Sequence, residues 1–353
     1  MELLDDRATV ERLDPQGLLG RIEGLPEQCV DAWRRAGGLK LPQGLSDARE
    51  LVVLGMGGSA IAGAIFRSLA LLSGRKPVAV VRGYDVPGYV GPSTLAVACS
   101  HSGNTEETLS ALDQALDRGA SAFALTQGGR LAELAAERTL PLFTYEYDGE
   151  PRSALGLQLM VLLAIGERAG ALESQEAAVA EAVALMREQR ERLGFAVPSA
   201  HNPAKQLAAR LHERLPVVIG GGVLVEAAYR WKTQLAENSK CWALHEELPE
   251  LDHNTIVGFG LPRKIVARMR TVFLSHPGLH PRLLLRIDGT ADALADAGIE
   301  SERVEALGTS PLAQVLTTIY HGDFVSYYLA LLNGVEPSPV APIEKLKKRL
   351  AKG

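Results

Sequence analysis

The chain has 353 residues, 37 lysines and arginines against 42 aspartates and glutamates, and a formal net charge of −5 at pH 7. It is 46% hydrophobic, 22% charged and 5% aromatic, which excludes extensive disorder, and its length predicts two domains that each bury a core. The slight acidic excess offers no general attraction to nucleic-acid backbones or anionic lipid, so neither nucleic acid nor membrane is an expected partner. Cys29, Cys99 and Cys241 are few, odd in number and far apart, so neither a disulfide framework nor a zinc ribbon is readable. The opening MELLDDRATVERLDPQG is charged throughout and lacks the apolar core of a signal peptide. The longest apolar run, 154–165, is interrupted by Gln158 and too short to span a bilayer. The expectation is a soluble cytoplasmic protein.

Taken in chain order, residues 15–36 carry apolar positions at helical spacing, with Gly38 as the stop. LVVLG (51–55) reads as a short buried strand running into glycines, followed by a small-residue helix at 59–72 that can lie close against a sheet. KPVAVVRGY (76–84) and TLAVACS (94–100) give the second and third strands. TEETLSALDQALDRG (105–119) is an amphipathic helix ended by Gly119, SAFALTQGG (121–129) a fourth strand with its turn, 131–139 a helix and LPLFTYE (140–146) a fifth strand. This alternation predicts βαβ units and a parallel sheet covered on both faces. Residues 154–193 are Ala-, Glu- and Leu-rich and read as a linker helix or helix pair. LPVVIGGG (215–222) then repeats the strand-into-glycines feature, a helix follows at 224–239, and the segments 265–274, 283–298, 301–307 and 311–334 continue the alternation. The halves read as a diverged internal duplication. PVAPIEKLKKRL (339–350) is a short basic helix with Pro342 suited to its first turn.

Two constellations carry chemistry. Gly55-Met56-Gly57-Gly58-Ser59-Ala60 lies between a strand and a helix, where missing Cβ atoms let backbone approach an anion and the helix end supplies oriented N–H groups. The same letters satisfy a G-x-G-x-x-A dinucleotide fingerprint, and a tight turn with no ligand is a further reading. Ser100-His101-Ser102-Gly103-Asn104-Thr105 occupies the next strand-to-helix junction; its hydroxyls suit phosphate oxygens, Thr105 is placed to cap the helix, and a plain polar cap is the alternative. A dinucleotide site wants an acid at the end of the second strand, where this chain has Arg82 and only later Asp85. One phosphate held by two loops fits better.

With Pro151-Arg152-Ser153-Ala154-Leu155-Gly156, these motifs resemble the sugar isomerase (SIS) domain superfamily. Ala236-Glu237-Asn238-Ser239-Lys240, Glu247-Leu248-Pro249-Glu250, Asp252-His253-Asn254 and the closing Pro337-Ser338-Pro339-Val340 with Ile343-Glu344-Lys345-Leu346-Lys347 narrow this to a resemblance to the bifunctional phosphoglucose/phosphomannose isomerases. The resemblance covers most of the chain. It implies an α/β fold of two SIS-type three-layer sandwiches with mainly parallel sheets: 1–153 with a leading helix, a helical linker at 154–195, and 196–353 with a closing helix. It implies a phosphate cradle of Gly58, Ser59, Ser100, Ser102 and Thr105, with Arg152 near the reacting carbons. Glu237 is then the base, His253 opens the sugar ring, and Lys347 helps hold substrate or its developing charge. A homodimer with a shared active site is implied, the histidine arriving from the neighbouring chain.

The implied reaction moves a proton between C2 and C1 through a cis-enediol after ring opening. A carboxylate whose pKa burial raises towards neutrality suits the transfer, an imidazole suits ring opening at neutral pH, and cationic groups stabilise the enediolate. No metal or other cofactor is therefore expected. The sequence departs from the family at Ala62, where a glycine is usual, at His101, where a tyrosine is usual, and at Thr255, where an acid is common. Two rival functions are a sugar-phosphate sensor that binds without turnover and a nicotinamide-dependent oxidoreductase. The first lacks an evident DNA-binding module, and the second lacks the acidic ribose contact.

Overall fold

The computed structural model describes residues 2–39 and 45–350. They form two compact units: Gly24–Met186 with Gly308–Val315, and the residues up to Glu23 with Arg187–Leu307 and the chain from Leu316 on.

The first unit holds β1 (Glu50–Leu54), β2 (Val78–Val81), β3 (Thr94–Ser100), β4 (Ser121–Thr126) and β5 (Leu142–Thr144). Their order is β2-β1-β3-β4-β5 and every pairing is parallel. These are the five strands expected from the apolar runs. All of β3 and four of the five residues of β1 are buried, whereas the edge strands β2 and β5 are partly open. A strand covered on both faces has no polar side to display, which is why its sequence is uninterrupted.

On one face, Val52, Leu54, Ala96 and Ala98 pack with Leu112 and Leu131 of the helices Glu106–Asp117 and Gly129–Glu137. The helix Gly57–Ser73 covers the other face, with Gly63 lying over Val53. Behind it the helix Leu155–Arg168 is buried from Leu155 through Gly166, its glycines meeting Cys29 and Phe66. Cys29 belongs to the helix Leu25–Gly37, which ends at Gly38 as the spacing predicts.

The second unit holds β6 (Leu215–Gly221), β7 (Leu244–Leu248), β8 (Met269–Ser275) and β9 (Glu300–Glu305), in the order β7-β6-β8-β9 and again all parallel. The fold is therefore α/β with two parallel sheets, as the resemblance implies. β7 is the strand the sequence does not announce. Its residues LHEEL include two glutamates, and only Leu248 is buried. In the segment 265–274, the short helix Arg263–Val266 runs in just before β8 takes over. Arg270 on β8 ties the edge strand β9 by pairing with Glu302 at 2.6 Å and with Glu300.

The leading residues pack with this unit: the fully buried ammonium of Lys205 lies 2.8 Å from the Asp5 carboxylate and donates to the carbonyls of Phe195 and Val197. The closing helix Ala341–Leu350 carries Pro342 in its first turn, and none of its residues is buried. Among the described residues no helix is long and apolar enough to cross a membrane.

Candidate active site

In the first unit the chain leaves β1 for β2 on one side, then crosses back to start β3 on the other. The carboxyl ends of β1 and β3 therefore flank the switch point, where parallel sheets open a crevice for ligands. Both candidate loops are there. The first runs from Gly55 into the helix Gly57–Ser73, whose N-cap Met56 contributes no side-chain hydrogen bond. The second runs from Ser100 into the helix Glu106–Asp117, whose N-cap residue is Thr105. Gly55 packs closely on the end of β3, where a Cβ would lie 3.0 Å from the Cys99 carbonyl oxygen.

Thr105 occupies the expected cap position, but its hydroxyl does not cap. It lies 2.9 Å from the Ser100 hydroxyl, which also accepts from the Gly103 N–H at 3.1 Å. Ser102 Oγ accepts from the Asn104 N–H at 3.2 Å and is exposed. Two adjacent helix N-termini thus lack side-chain caps, while three hydroxyls gather between them, an arrangement suited to an anion. Gly103, at φ +72°, lets the loop press on the turn after β4, where a Cβ would fall 1.7 Å from the Gly128 carbonyl oxygen.

Gly58 brings in Arg152. A Cβ there would lie 2.9 Å from the Pro151 carbonyl oxygen and 3.2 Å from Arg152 Cα. Arg152 is 3% exposed in the turn Pro151–Ser153. That turn is pinned at the Ser153 carbonyl, which accepts from the Tyr147 hydroxyl and the Gln28 amide. Gly58, Ser59, Ser100, Ser102, Thr105 and Arg152 are accordingly gathered on one edge of one sheet.

In the second unit Glu237 is the last residue of the helix Val225–Glu237. Buried Arg230 and Gln234 on that helix both donate to Asp323, at 2.9 and 3.0 Å, and the Trp231 indole donates to the Thr318 carbonyl. Asn238 donates to Ser326 Oγ, and Asn333 donates to the Ser239 carbonyl. A-E-N-S-K is thus held rigidly from the helix Pro311–Leu332 and its end, with half-buried Glu237 at a fixed place.

His253 follows β7 in the turn Glu250–His253 and is exposed. Its neighbour Asp252 anchors the turn, accepting from Arg286 at 2.7 Å and from the Thr290 hydroxyl at 2.8 Å. The Asn254 amide donates to Glu250, and Thr255 answers with hydrogen bonds to Asn254 Oδ1. Glu246 faces the Thr255 hydroxyl at 3.5 Å, and burial pushes its carboxyl above the ordinary range. The anchoring role of Asp252 has no local sign in the sequence, because its partners lie more than thirty residues away.

Glu237 and His253 of one chain do not meet. The helix after β6 runs back along the sheet, so Glu237 sits near its amino edge, where Cys241 Sγ touches the carbonyl of Arg214 just before β6. His253 follows the carboxyl end of β7. β7, about 16 Å long over its five residues, lies between them in the chain. Lys347 is exposed on the closing helix, away from any buried contact. Among the described residues no group of three or more His, Cys, Asp or Glu side chains is arranged to hold a metal ion.

Residues 44–168 match the SIS domain family model, and residues 200–350 match the bacterial phospho-glucose isomerase C-terminal SIS domain. The chain is 37% identical over 331 residues to the bifunctional phosphoglucose/phosphomannose isomerase of Caldicellulosiruptor bescii, covering 94% of this chain and 98% of that protein. The chain belongs to the bifunctional phosphoglucose/phosphomannose isomerase family. The family member from Aquifex aeolicus is 34% identical over 87% of this chain and 92% of its own. Among solved structures, a hypothetical protein of Thermus thermophilus superposes with a TM-score of 0.74 at 18% identity, covering 99% of this chain and 94% of that one. A glucose-6-phosphate isomerase like protein from the same organism gives 0.61 at 22%, with 96% and 98% covered. At those identities the likeness speaks for the fold alone, which the family shares.

Proposed function

We propose that the chain is an aldose–ketose isomerase interconverting glucose 6-phosphate, and also mannose 6-phosphate, with fructose 6-phosphate. The observation that supports the reading is the edge of the first sheet, where two helix N-termini without side-chain caps adjoin loops carrying Ser59, Ser102 and the paired hydroxyls of Ser100 and Thr105. The names borne by the relatives over nearly the whole chain supply the substrate class.

In this reading the loops hold the phosphate, and ring opening passes a proton through the His253 imidazole. Glu237 removes the C2 proton, the electron pair forms the C1–C2 double bond of a cis-enediolate as the carbonyl electrons move to O1, the O2 proton passes to O1, and the same carboxyl returns its proton to C1 as the C2 carbonyl of the ketose forms. Arg152 stabilises the enediolate oxygen and Lys347 assists with substrate charge. Rotation about C2–C3 of the open intermediate lets one base serve both C2 epimers. The separation of Glu237 and His253 across one sheet supports a homodimer in which each histidine serves the other chain. A cytoplasmic location is part of the same proposal.

A coupled assay on the purified protein tests this. Glucose 6-phosphate is converted to fructose 6-phosphate without nucleotide and in the presence of a chelator, and Glu237→Gln abolishes turnover while still binding the sugar phosphate. Binding without turnover by the native chain would favour the sensor, and nicotinamide reduction would favour the oxidoreductase. Full activity in Glu237→Gln would remove the proposed base.

A further inference from the structure

His101 stands between two of the hydroxyls assigned to phosphate, yet its ring turns away from them into the protein. Its Nδ1 lies 3.1 Å from the hydroxyl of Tyr145, a residue 2% exposed, and that phenol oxygen accepts from the amide of the fully buried Gln158 at 2.9 Å. The Gly149 backbone faces the ring and favours a proton on it. A neutral imidazole has one donor and one acceptor. In the tautomer whose N–H points to Gly149, Nδ1 accepts the Tyr145 proton, and the donors run Gln158, Tyr145, His101, Gly149. The His101 carbonyl meanwhile accepts from the Gln127 N–H after β4. One residue of the hydroxyl loop is therefore fastened to the ends of β4 and β5 and to the segment leading into Pro151–Ser153.

We propose that His101 is a positioning residue for the phosphate site: its neutral ring bridges the Tyr145 phenol and the Gly149 backbone, and so fixes the loop 100–105 relative to the turn that carries Arg152. The inference rests on the isomerase reading, in which loop and turn hold opposite ends of one substrate. The bridge works only while Nδ1 is free to accept. The groups packed on the ring are the phenols of Tyr145 and Tyr147, with centroids 5.8 and 6.2 Å away, the Gly149 backbone and, beside Tyr145, the buried Cys99 thiol. Burial in this setting holds the imidazole below its ordinary pKa and raises the Tyr145 phenol to about 12, so both keep the required protonation at neutral pH. Protonation of the ring makes Nδ1 a donor, so the Tyr145 hydroxyl must give up its donation and accept instead, and the bridge rearranges.

The test uses the full-length protein with His101→Phe, Tyr145→Phe and the double variant, each checked by thermal melting. Turnover of glucose 6-phosphate and its dissociation constant by calorimetry are followed between pH 5.5 and 8. At pH 7.5 each single variant raises KM and Kd about tenfold with kcat within threefold of native, as expected when binding shared by ground and transition states is lost. The double variant is no worse than the poorer single, because both break the same bridge. On acidification, native Kd climbs towards that of the variants; ionisation of the substrate phosphate is common to all and cancels in the comparison. Tyr145→Phe keeps the reading open if His101→Phe does not fold, since it removes one oxygen and keeps the packing. The proposal is overturned by a folded single variant with KM within twofold of native, by additive effects, or by native affinity that tightens in acid through direct attraction of a charged ring. A native protein that binds glucose 6-phosphate without turnover would sink the isomerase reading while calorimetry still reports on the bridge.

Discussion

Replacing Gly58 with alanine probes the contact that brings Arg152 to the loops proposed to hold phosphate. The new methyl would stand 2.9 Å from the Pro151 carbonyl oxygen and 3.2 Å from both the Pro151 carbonyl carbon and Arg152 Cα. All three atoms are backbone, so no rotamer change relieves the clash. Carbon–oxygen contacts settle at about 3.3–3.6 Å, so the Pro151–Ser153 turn must retreat by roughly 0.5 Å. Overpacking of this kind costs about 1–3 kcal/mol, and alanine in a helical turn returns up to about 1 kcal/mol relative to glycine. The net loss is about 0–3 kcal/mol, a fall of up to about 10 °C in Tm at roughly 2–4 °C per kcal/mol. Catalysis is more sensitive, because a displacement of about 1 Å can cost on the order of a hundredfold. Half that displacement predicts about a tenfold fall in kcat/KM for glucose 6-phosphate, with the fold intact. Steady-state kinetics paired with a thermal melt decide it. A folded Gly58→Ala protein with kcat/KM within twofold of native would refute the idea that this close approach sets the distance from phosphate to Arg152.

Ser102→Ala removes an exposed hydroxyl whose mapped internal bond is a loop N–H, and should raise KM several-fold with little change in Tm; an unchanged KM would take the loop out of the binding site. Asp252→Ala strips the His253 turn of its bonds to Arg286 and Thr290, and kcat should fall about tenfold with KM nearly constant; native kcat would show that the anchor is dispensable. His321, stacked on Trp231 with its Nε2 sealed from solvent, has a pKa pushed down by burial to about 4, against about 6.5 in the unfolded chain. The unfolded chain therefore binds this proton first. Stability is fully present above pH 6.5 and declines as pH falls towards 4, by at most about 3 kcal/mol, so melts at pH 7 and 4.5 should differ less in His321→Phe than in the native protein.

What could be read from the sequence and what could not divide along a physical line. β1 and β3 announce themselves because a central parallel strand is buried on both faces and leaves an unbroken apolar run. β7 gives no such sign: Glu246 and Glu247 sit in an edge strand whose existence depends on pairing with β6. The hydroxyl loops are legible for a similar reason, since glycine, serine and threonine at a strand-to-helix junction state their chemistry locally. The direction of the Thr105 hydroxyl does not follow from those letters. Cap and Ser100 compete for it, and the neighbouring Gly103 is pressed against Gly128 by packing that no local window contains.

The same division runs through the proposed mechanism. Glu237 and His253 are sixteen residues apart in sequence and look like partners in one site. Only the strand order shows that a helix returning along β6 leaves the acid at one edge, while β7 carries the histidine to the other. The proposed mechanism, which uses both groups on one substrate, accordingly draws them from two copies of the chain. Mixing inactive Glu237→Gln with inactive His253→Ala subunits should accordingly restore activity, to about a quarter of native sites after random reassortment into dimers. Mixed dimers without activity would mean that the two residues act within one chain, and the separation across β7 would have to be abandoned as a guide to the site.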